Sequence, residues 1–360
     1  MAKGQVIVVG AGIGGLAAAA LIAAKGFPVT VLERAAAPGG KVHEIAVDGR
    51  PIDTGPTVFT LRHVVEAIFR EAGGDLSKHV TLAKLDVLAR HAWDEGEVLD
   101  LYADEARSAD AIGRLMGAQE ACGYRAFCAE VRRIYATLDD TFMQASRPNL
   151  PQLMARISQR GVQGLKDLWH LQPYTSMWTE LAKFFKDERL RQLFGRYATY
   201  CGSSPFHAPG TLMLVAHVET MGVWSVEGGM GRLAEAFAAL AANAGAVIRT
   251  GAHVEEIVVS GDRVTGVRLA DGERVGCDAV VFNGDCAALG AGLLGRGAAG
   301  AVAPTPVAQR SLSAITLAGV ARTSGFPLVR HNVFFSGNYA AEFDDILKRG
   351  RPPVEPTVYV

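Results

Sequence analysis

Gly10, Gly12 and Gly15 follow the β-branched run Val6-Ile7-Val8-Val9 and lead into "LAAAALIAA", a strong helix former. A second strand-like run, "FPVTVLER", comes next and ends near Glu33, 23 residues after Gly10. Strand, glycine turn, helix and strand with an acid at this distance are the parts of a dinucleotide site. Gly10 permits the tight turn out of the strand, and Gly12 lets a pyrophosphate approach the backbone. Gly15 allows close helix–sheet packing, while the helix N-terminus turns its partial positive charge to the phosphates. Glu33 can accept hydrogen bonds from a ribose diol and would repel a 2′-phosphate. The same apolar stretch is long enough for a signal peptide or a membrane span. Clustered glycines and an in-phase second strand speak against both.

A second turn, Gly39-Gly40-Lys41, places two flexible backbone units beside a cation. It reads as a further clamp on one long cofactor or as an ordinary turn between strands. The loop "DTGPT", residues 53–57, could lie against a flat ring or be a plain connection. His63, His91, His207, His217 and His331 form no His-x-x-x-His and no His-Cys cluster, so each is expected to be structural and no metal site is expected. No G-x-S-x-G elbow is present, which argues against hydrolase chemistry. Phe184, Phe185, Phe194, Tyr197 and Tyr200 recur at helical spacing; most are expected in the core, a minority along an apolar channel. No catalytic residue can be named.

The elements that must position these residues follow from composition and pattern. The chain has 360 residues, 49% apolar and 20% charged, enough for two domains with sizeable cores. Lys plus Arg number 36 against 37 acids, which gives no electrostatic case for nucleic acid. Five scattered cysteines without Cys-x-x-Cys spacing read as reduced thiols of a cytoplasmic protein. "KVHEIAV" alternates like a strand before the Asp48-Gly49 turn, and residues 61–74 have helical periodicity. "DVLARHAW" and "VLDLYA" read as strands, and residues 104–209 as mostly helical. "GVWSVEGGMGRLAEAFAALAANAG" then predicts a short strand, a glycine turn and a helix, followed by strands to about residue 283. Residues 285–305 read as a helix running into a loop, "LSAITLAGVA" and "HNVFFS" as strands, and "AAEFDDILKR" as a helix. The pattern implies an α/β protein in which a doubly wound nucleotide domain is discontinuous. Its boundaries are expected at 1–75 and 210–295, with a mixed α+β substrate domain at 76–209 and 296–360.

The stretches "VIVVGAGIGGLAAA", "VLERAAAPGGKV", "GRPIDTGPTVFT", "RLRQLFGRYATYCGSSPFHAP", "VEGGMGRLAEAFAALA" and "ADGERVGCDAVVFNGD" together resemble the carotenoid desaturases related to bacterial phytoene desaturase. That group lies within the flavin amine-oxidase-like proteins. "DTGPTVFTLRHV" and "LFGRYATYCGSSPF" most resemble the hydroxycarotenoid 3,4-desaturase branch. The resemblance implies a Rossmann-like FAD-binding domain, with Gly10, Gly12, Gly15, Glu33, Gly39, Gly40 and Lys41 in contact with FAD. Arg34 and Gly55 join that candidate set. Val254 matches the position whose backbone meets the adenine, and Asn283 the point of re-entry into the cofactor domain. The implied reaction is FAD-dependent carotenoid desaturation, with phytoene or amine oxidation and a non-catalytic escort-like protein as alternatives. The implied setting is cytoplasmic and peripheral on the cytoplasmic membrane, with an apolar carotenoid as substrate and an electron acceptor that the residues do not identify. Members of the family carry a Gly-rich strand-to-helix segment near the C-terminus that nothing after Asp285 matches. The chain stops at "EPTVYV", read as a strand without a partner, so a C-terminally incomplete sequence is expected.

Overall fold

The computed structural model describes residues 3–94, 96–139, 174–307 and 310–360. In chain order the first elements are β1 (Val6–Val9), α1 (Ile13–Ala24), β2 (Val29–Leu32), β3 (Glu44–Val47), β4 (Arg50–Asp53), α2 (Arg62–Glu71) and β5 (Leu82–Lys84). There follow β6 (Val87–Ala92), β7 (Val98–Tyr102), α3 (Glu105–Met116), α4 (Ala118–Leu138), α5 (Met177–Leu181), α6 (Glu188–Gly195) and α7 (Leu214–Met221). Next come β8 (Trp224–Val226), α8 (Gly231–Asn243), β9 (Val247–Arg249), β10 (Val254–Ser260), β11 (Arg263–Leu269), β12 (Arg274–Gly276) and β13 (Ala279–Phe282). The last are α9 (Cys286–Gly290), α10 (Arg296–Ala299), β14 (Asn332–Phe334), α11 (Tyr339–Leu347) and β15 (Val358–Tyr359).

Two units divide the chain: residues 1–83, 224–310 and 314–322, and residues 84–223, 311–313 and 323–360. In the first, a parallel sheet has the order β13-β1-β2-β9, with Val6 opposite Val29 on one side and Ala279 on the other. Alternate residues of β1 serve two cores, because side chains of a strand point to opposite faces. Val6 and Val8 pack with Leu16, Ala19 and Ala20 of α1 and Leu233 and Phe237 of α8. Ile7 and Val9 pack with Ile257, Val267 and Leu269 of the antiparallel sheet β10-β11-β12. Both faces are therefore covered, which is why β1 is apolar at every position. Burying each such valine or isoleucine stabilises the fold by about 1.5–3 kcal/mol. The alanines of α1 keep its face flat enough to lie close to the sheet. β3 and β4 form the hairpin expected at Asp48-Gly49, where both turn residues have positive φ (50° and 73°).

In the second unit the sheet order is β15-β14-β6-β7. β6 pairs antiparallel with β7 and parallel with β14. Around α4 and α6 lies an aromatic core: the Phe194 ring is 4.6 Å from Phe127 and 5.2 Å from Phe185.

Several expectations change. The unit boundaries fall at 83/84 and 223/224 rather than 75/76 and 209/210. Leu76 and Val80 belong to the first core, whereas α7 stays in the second unit, its His217 ring 5.0 Å from Tyr135 of α4. Ala298 of α10 joins the first unit's core, so that unit continues past 295. "LSAITLAGVA" is not a strand: residues 311–324 carry no regular structure, and Ile315 and Leu317 are 81% and 92% exposed. The stretch has strand composition but no paired neighbour, and a strand exists only through its partner. Residues 285–305 hold two short helices, α9 and α10, instead of one. "TVYV" does have a partner: β15 pairs antiparallel with β14, Val333 opposite Tyr359. The expected helices within 140–173 lie outside the described residues.

Candidate functional site

The glycine turn at the end of β1 is held by the second strand, the Gly10 N–H donating to the Leu32 carbonyl at 2.8 Å. A side chain at Gly15 would put its Cβ 2.1 Å from the Gly10 carbonyl oxygen, so only glycine lets α1 start this close to β1. The α1 N-terminus begins after Gly12 with no side-chain cap and no acid in its first turn. Its first N–H groups are therefore available to an anion. The N-terminus of α8 also follows a glycine turn, but there Asp53 closes it: both carboxylate oxygens accept from the Met230 N–H at 2.9 Å.

The second turn is brought against the first. The Gly39 N–H donates to the Ala11 carbonyl at 2.8 Å, and Gly12 and Gly39 form a parallel bridge. Gly40 has φ 62°, and a Cβ on it would stand 3.0 Å from the Gly12 Cα. The two glycine turns thus make one cradle that a side chain on either would fill. Lys41 and Arg34 are exposed beside it. Gly55 packs behind the turn, facing the Lys41 carbonyl so closely that a Cβ would come within 1.8 Å of its oxygen. The 53–57 loop supports the cradle from there.

Glu33 is 7% exposed. Its Oε2 accepts from the Ala11 N–H at 2.7 Å and its Oε1 from the Ala35 N–H at 2.9 Å. Each oxygen keeps a lone pair for a further donor, so the carboxylate can order the turn and still receive a diol. Val254 is buried at the start of β10, and the chain just before it is tied to this corner by the Ala252 N–H donating to the Glu33 carbonyl at 2.8 Å. Asn283, following β13, lies over the first turn, its Nδ2 donating to the Gly10 carbonyl at 3.4 Å. Its amide would also collide with a Cβ at Gly12, Gly14 or Gly15. Every residue of the candidate cofactor set therefore lies in the first unit. An open helix end, a side-chain-free double turn and a buried acceptor fit a dinucleotide with a vicinal diol.

The aromatics divide. Phe185, Phe194 and Tyr197 are at most 1% exposed, whereas Tyr200 is 46% exposed. The cavity lined by Tyr124, Phe127, Phe194 and Tyr197 has about 10 Å³, room for about one water and no more. In the sequence His91 and His331 are isolated. The parallel register that sets His91 opposite Val333 brings His331, the residue before β14, alongside β6, and both rings feel the charge of the buried Arg196. Nothing in the local pattern signals that encounter. Among the described residues there is no group of three or more His, Cys, Asp or Glu placed to hold a metal ion.

Comparison with known proteins gives a family match for residues 13–309, described as flavin containing amine oxidoreductase. A hydroxyneurosporene desaturase of Rubrivivax gelatinosus is 52% identical over 360 residues, covering 99% of this chain and 67% of that protein. A phytoene dehydrogenase of Streptomyces griseus is 34% identical over 366 residues, covering 99% of this chain and 68% of that protein. Among solved structures, an oxidoreductase of Methanosarcina mazei matches with TM-score 0.52 at 17% identity, over 81% of this chain and 61% of that one. This chain thus spans about two thirds of its curated relatives and less of that structure.

Proposed function

The chain belongs to the flavin-containing amine oxidoreductases, among the carotenoid desaturases with FAD as cofactor, and from that premise we propose that it desaturates a hydroxylated or methoxylated carotenoid at the 3,4 position. The observation that carries the reading is the 52% identity to a hydroxyneurosporene desaturase, against 34% to a phytoene dehydrogenase, over the same 99% of the chain. The two-turn cradle supports the cofactor half of it.

In this reading Gly10, Gly12, Gly15, Gly39 and Gly40 bear the pyrophosphate on backbone N–H groups. Glu33 receives the adenosine ribose, and Lys41 and Arg34 add positive charge at the rim. The Val254 backbone meets the adenine, and Asn283 holds the first turn in shape. When bound, FAD supplies an acceptor for two electrons and one proton, that is, a hydride. The substrate loses this hydride from one sp³ carbon and a proton from its neighbour, so two C–H bonds break and one π bond forms. The adjoining polyene spreads the developing charge, which leaves the protein to orient the chain and exclude water. The second unit is the substrate domain of this reading.

A long polyene partitions into a bilayer, and no helix among the described residues is long and apolar enough to cross one. The enzyme accordingly docks on the cytoplasmic face of the membrane and draws its substrate from there. The electron acceptor is oxygen, a quinone or another carrier, to be identified by following oxygen uptake and quinone reduction. The test of function is purified, flavin-loaded protein supplied with liposomes carrying 1-hydroxyneurosporene or phytoene. A product two hydrogens lighter, with one more conjugated double bond, is expected from the first. Turnover of phytoene alone would move the chain to another branch of the family, and flavin-dependent amine oxidation alone would overturn the carotenoid reading.

A further inference from the structure

In the second unit a charged cluster lies in the protein interior without full pairing. Arg196, Glu219, His91 and His331 are 8%, 6%, 0% and 4% exposed. Glu219 is occupied: its Oε2 accepts from the Tyr197 hydroxyl at 2.5 Å and its Oε1 from the Tyr200 hydroxyl at 3.0 Å. Arg196 is only partly so. Its Nη1 donates to the Tyr200 hydroxyl at 3.3 Å and its guanidinium lies 5.4 and 5.3 Å from the Tyr197 and Tyr200 ring centres, but its buried Nε–H has no acceptor. The His91 ring has only a contact with the Leu99 backbone that falls short of good hydrogen-bond geometry, and Nε2 of His331 has no partner, its Nδ1 meeting the Tyr359 hydroxyl at 2.5 Å.

The polar groups just outside the cluster behave differently. Trp93 Nε1 donates to Gln192 Oε1 at 2.9 Å, and Gln192 Nε2 to the Ser336 carbonyl at 2.9 Å. Phe335 stacks on His91 at 6.0 Å and on Trp93 at 5.3 Å, forming an apolar wall on that side. Four of the six orphaned buried side-chain atoms among the described residues belong to Arg196, His91 and His331, the other two being Glu120 Oε2 and Arg191 Nε. Buried polar groups in native proteins are almost always satisfied, so a ligand or a trapped water completes this set.

We propose that the cluster of Arg196, His91, His331 and the Glu219–Tyr197–Tyr200 group is the seat of the substrate's oxygen-bearing end. It rests on the reading of the substrate as an oxygenated carotenoid. An alcohol oxygen accepts from the Arg196 Nε–H and donates its own proton to a ring nitrogen of His91 or His331. Burial, and then the Arg196 charge, hold His91 at about 3, while burial, Arg330 and Arg196 hold His331 at about 4. Both rings are neutral at physiological pH, each with one donor and one acceptor nitrogen. An ether oxygen has no proton to give and engages half of the set, so a hydroxyl is preferred to a methoxyl. A hydrocarbon end satisfies nothing here. Tyr200, 46% exposed with its hydroxyl turned to Glu219 and Arg196, marks where the cluster meets the surface.

His91→Phe keeps a flat ring against Phe335 and removes both ring nitrogens. In the flavin-loaded full chain, the ratio of kcat/KM for 1-hydroxyneurosporene over neurosporene is expected to fall at least tenfold, carried by KM. The melting temperature at neutral pH should be equal to or above that of the wild type. A correctly folded His91→Phe protein with the wild-type ratio would overturn the proposal and leave the cluster as the seat of a structural water. Binding is read separately with a small tertiary alcohol, 2-methylheptan-2-ol, against 2-methylheptane. The alcohol alone should raise the wild-type melting temperature, and the rise should vanish in His91→Phe. If the wild type turns over neither carotenoid, the substrate reading fails, and this alcohol experiment still decides the subsite: no selective shift overturns it.

Discussion

Removing the Glu33 carboxylate leaves the Ala11 and Ala35 N–H groups without acceptors at a position 7% exposed. Each charge-assisted hydrogen bond contributes about 1.5–3 kcal/mol. Glu33→Arg also brings a cation to the open N-terminus of α1. Flavin bound per chain after dialysis should drop, with affinity weaker by about 10- to 100-fold; Glu33→Gln, which retains one acceptor oxygen, should lose less. Unchanged flavin content in Glu33→Arg would remove this residue from the site. The buried histidines carry a pH signature of their own. With folded values near 3 and 4 against 6.5 for the free side chain, the folded protein excludes protons that the unfolded chain takes up. Their contribution to stability is full above about pH 6.5 and is lost as the pH falls toward 4 and then 3, at up to about 1.4 kcal/mol per pH unit for each ring. Denaturant titrations between pH 7 and 4 should show a smaller slope for His91→Phe; equal slopes would mean that His91 titrates normally in the fold.

Among the elements, α1 and α8 begin alike in sequence and differ in use. Asp53 caps α8 through the Met230 N–H, whereas α1 is left open. Asp53→Ala should destabilise the protein by about 1 kcal/mol, whereas Asp53→Asn, an equally good cap, should recover most of the loss. Thermal melts of the two variants check this, and identical melting temperatures for wild type and Asp53→Ala would show the cap to be dispensable. α11 shows the same economy at its other end. Asp345 accepts from Arg349 at 2.6 Å, from Arg351 at 3.0 Å and from the Val354 N–H at 3.2 Å, fastening the helix to the loop that leads to β15. The Arg349 bond above all, with the Val354 N–H and Arg351, holds its carboxyl at about 2 instead of 3.8. The lowered value means stability that is fully present above about pH 4 and lost as the pH falls through 2. Asp345→Asn should therefore melt below the wild type at pH 7, and the gap should close near pH 2. A gap that persists undiminished in acid would assign the effect to packing.

For the whole molecule, 36 basic against 37 acidic residues leave a net charge of −1. In the proposed membrane-docked state, attachment would then rest on apolar contact more than on attraction to anionic lipid. Flotation with liposomes should persist at roughly 1 M salt, where the Debye length is about 3 Å, and end on addition of detergent. Release by salt alone would point to a basic patch in place of an apolar mouth.

What could be read in the residues was whatever depends on near neighbours. The glycine turn after β1, α1, β2, the Asp48-Gly49 hairpin and the helices α2, α8 and α11 follow from period, branching and turn chemistry within a few residues. The motif Gly10-x-Gly12-x-x-Gly15 with Glu33 named the cofactor class for the same reason. Partnership was decided elsewhere. Val6 and Ala279 are 273 positions apart and pair in one sheet, while "LSAITLAGVA", with the composition of a strand, pairs with no strand among the described residues and forms none. Asp53 was legible as a loop residue but not as the cap of a helix 177 positions away. Arg196, Glu219, His91 and His331 come from four separate segments, and only the β6–β14 register and the packing of α7 set them together. Periodicity states which face of an element is buried. Which atoms meet there, and whether a polar one is satisfied, is a property of the folded chain alone.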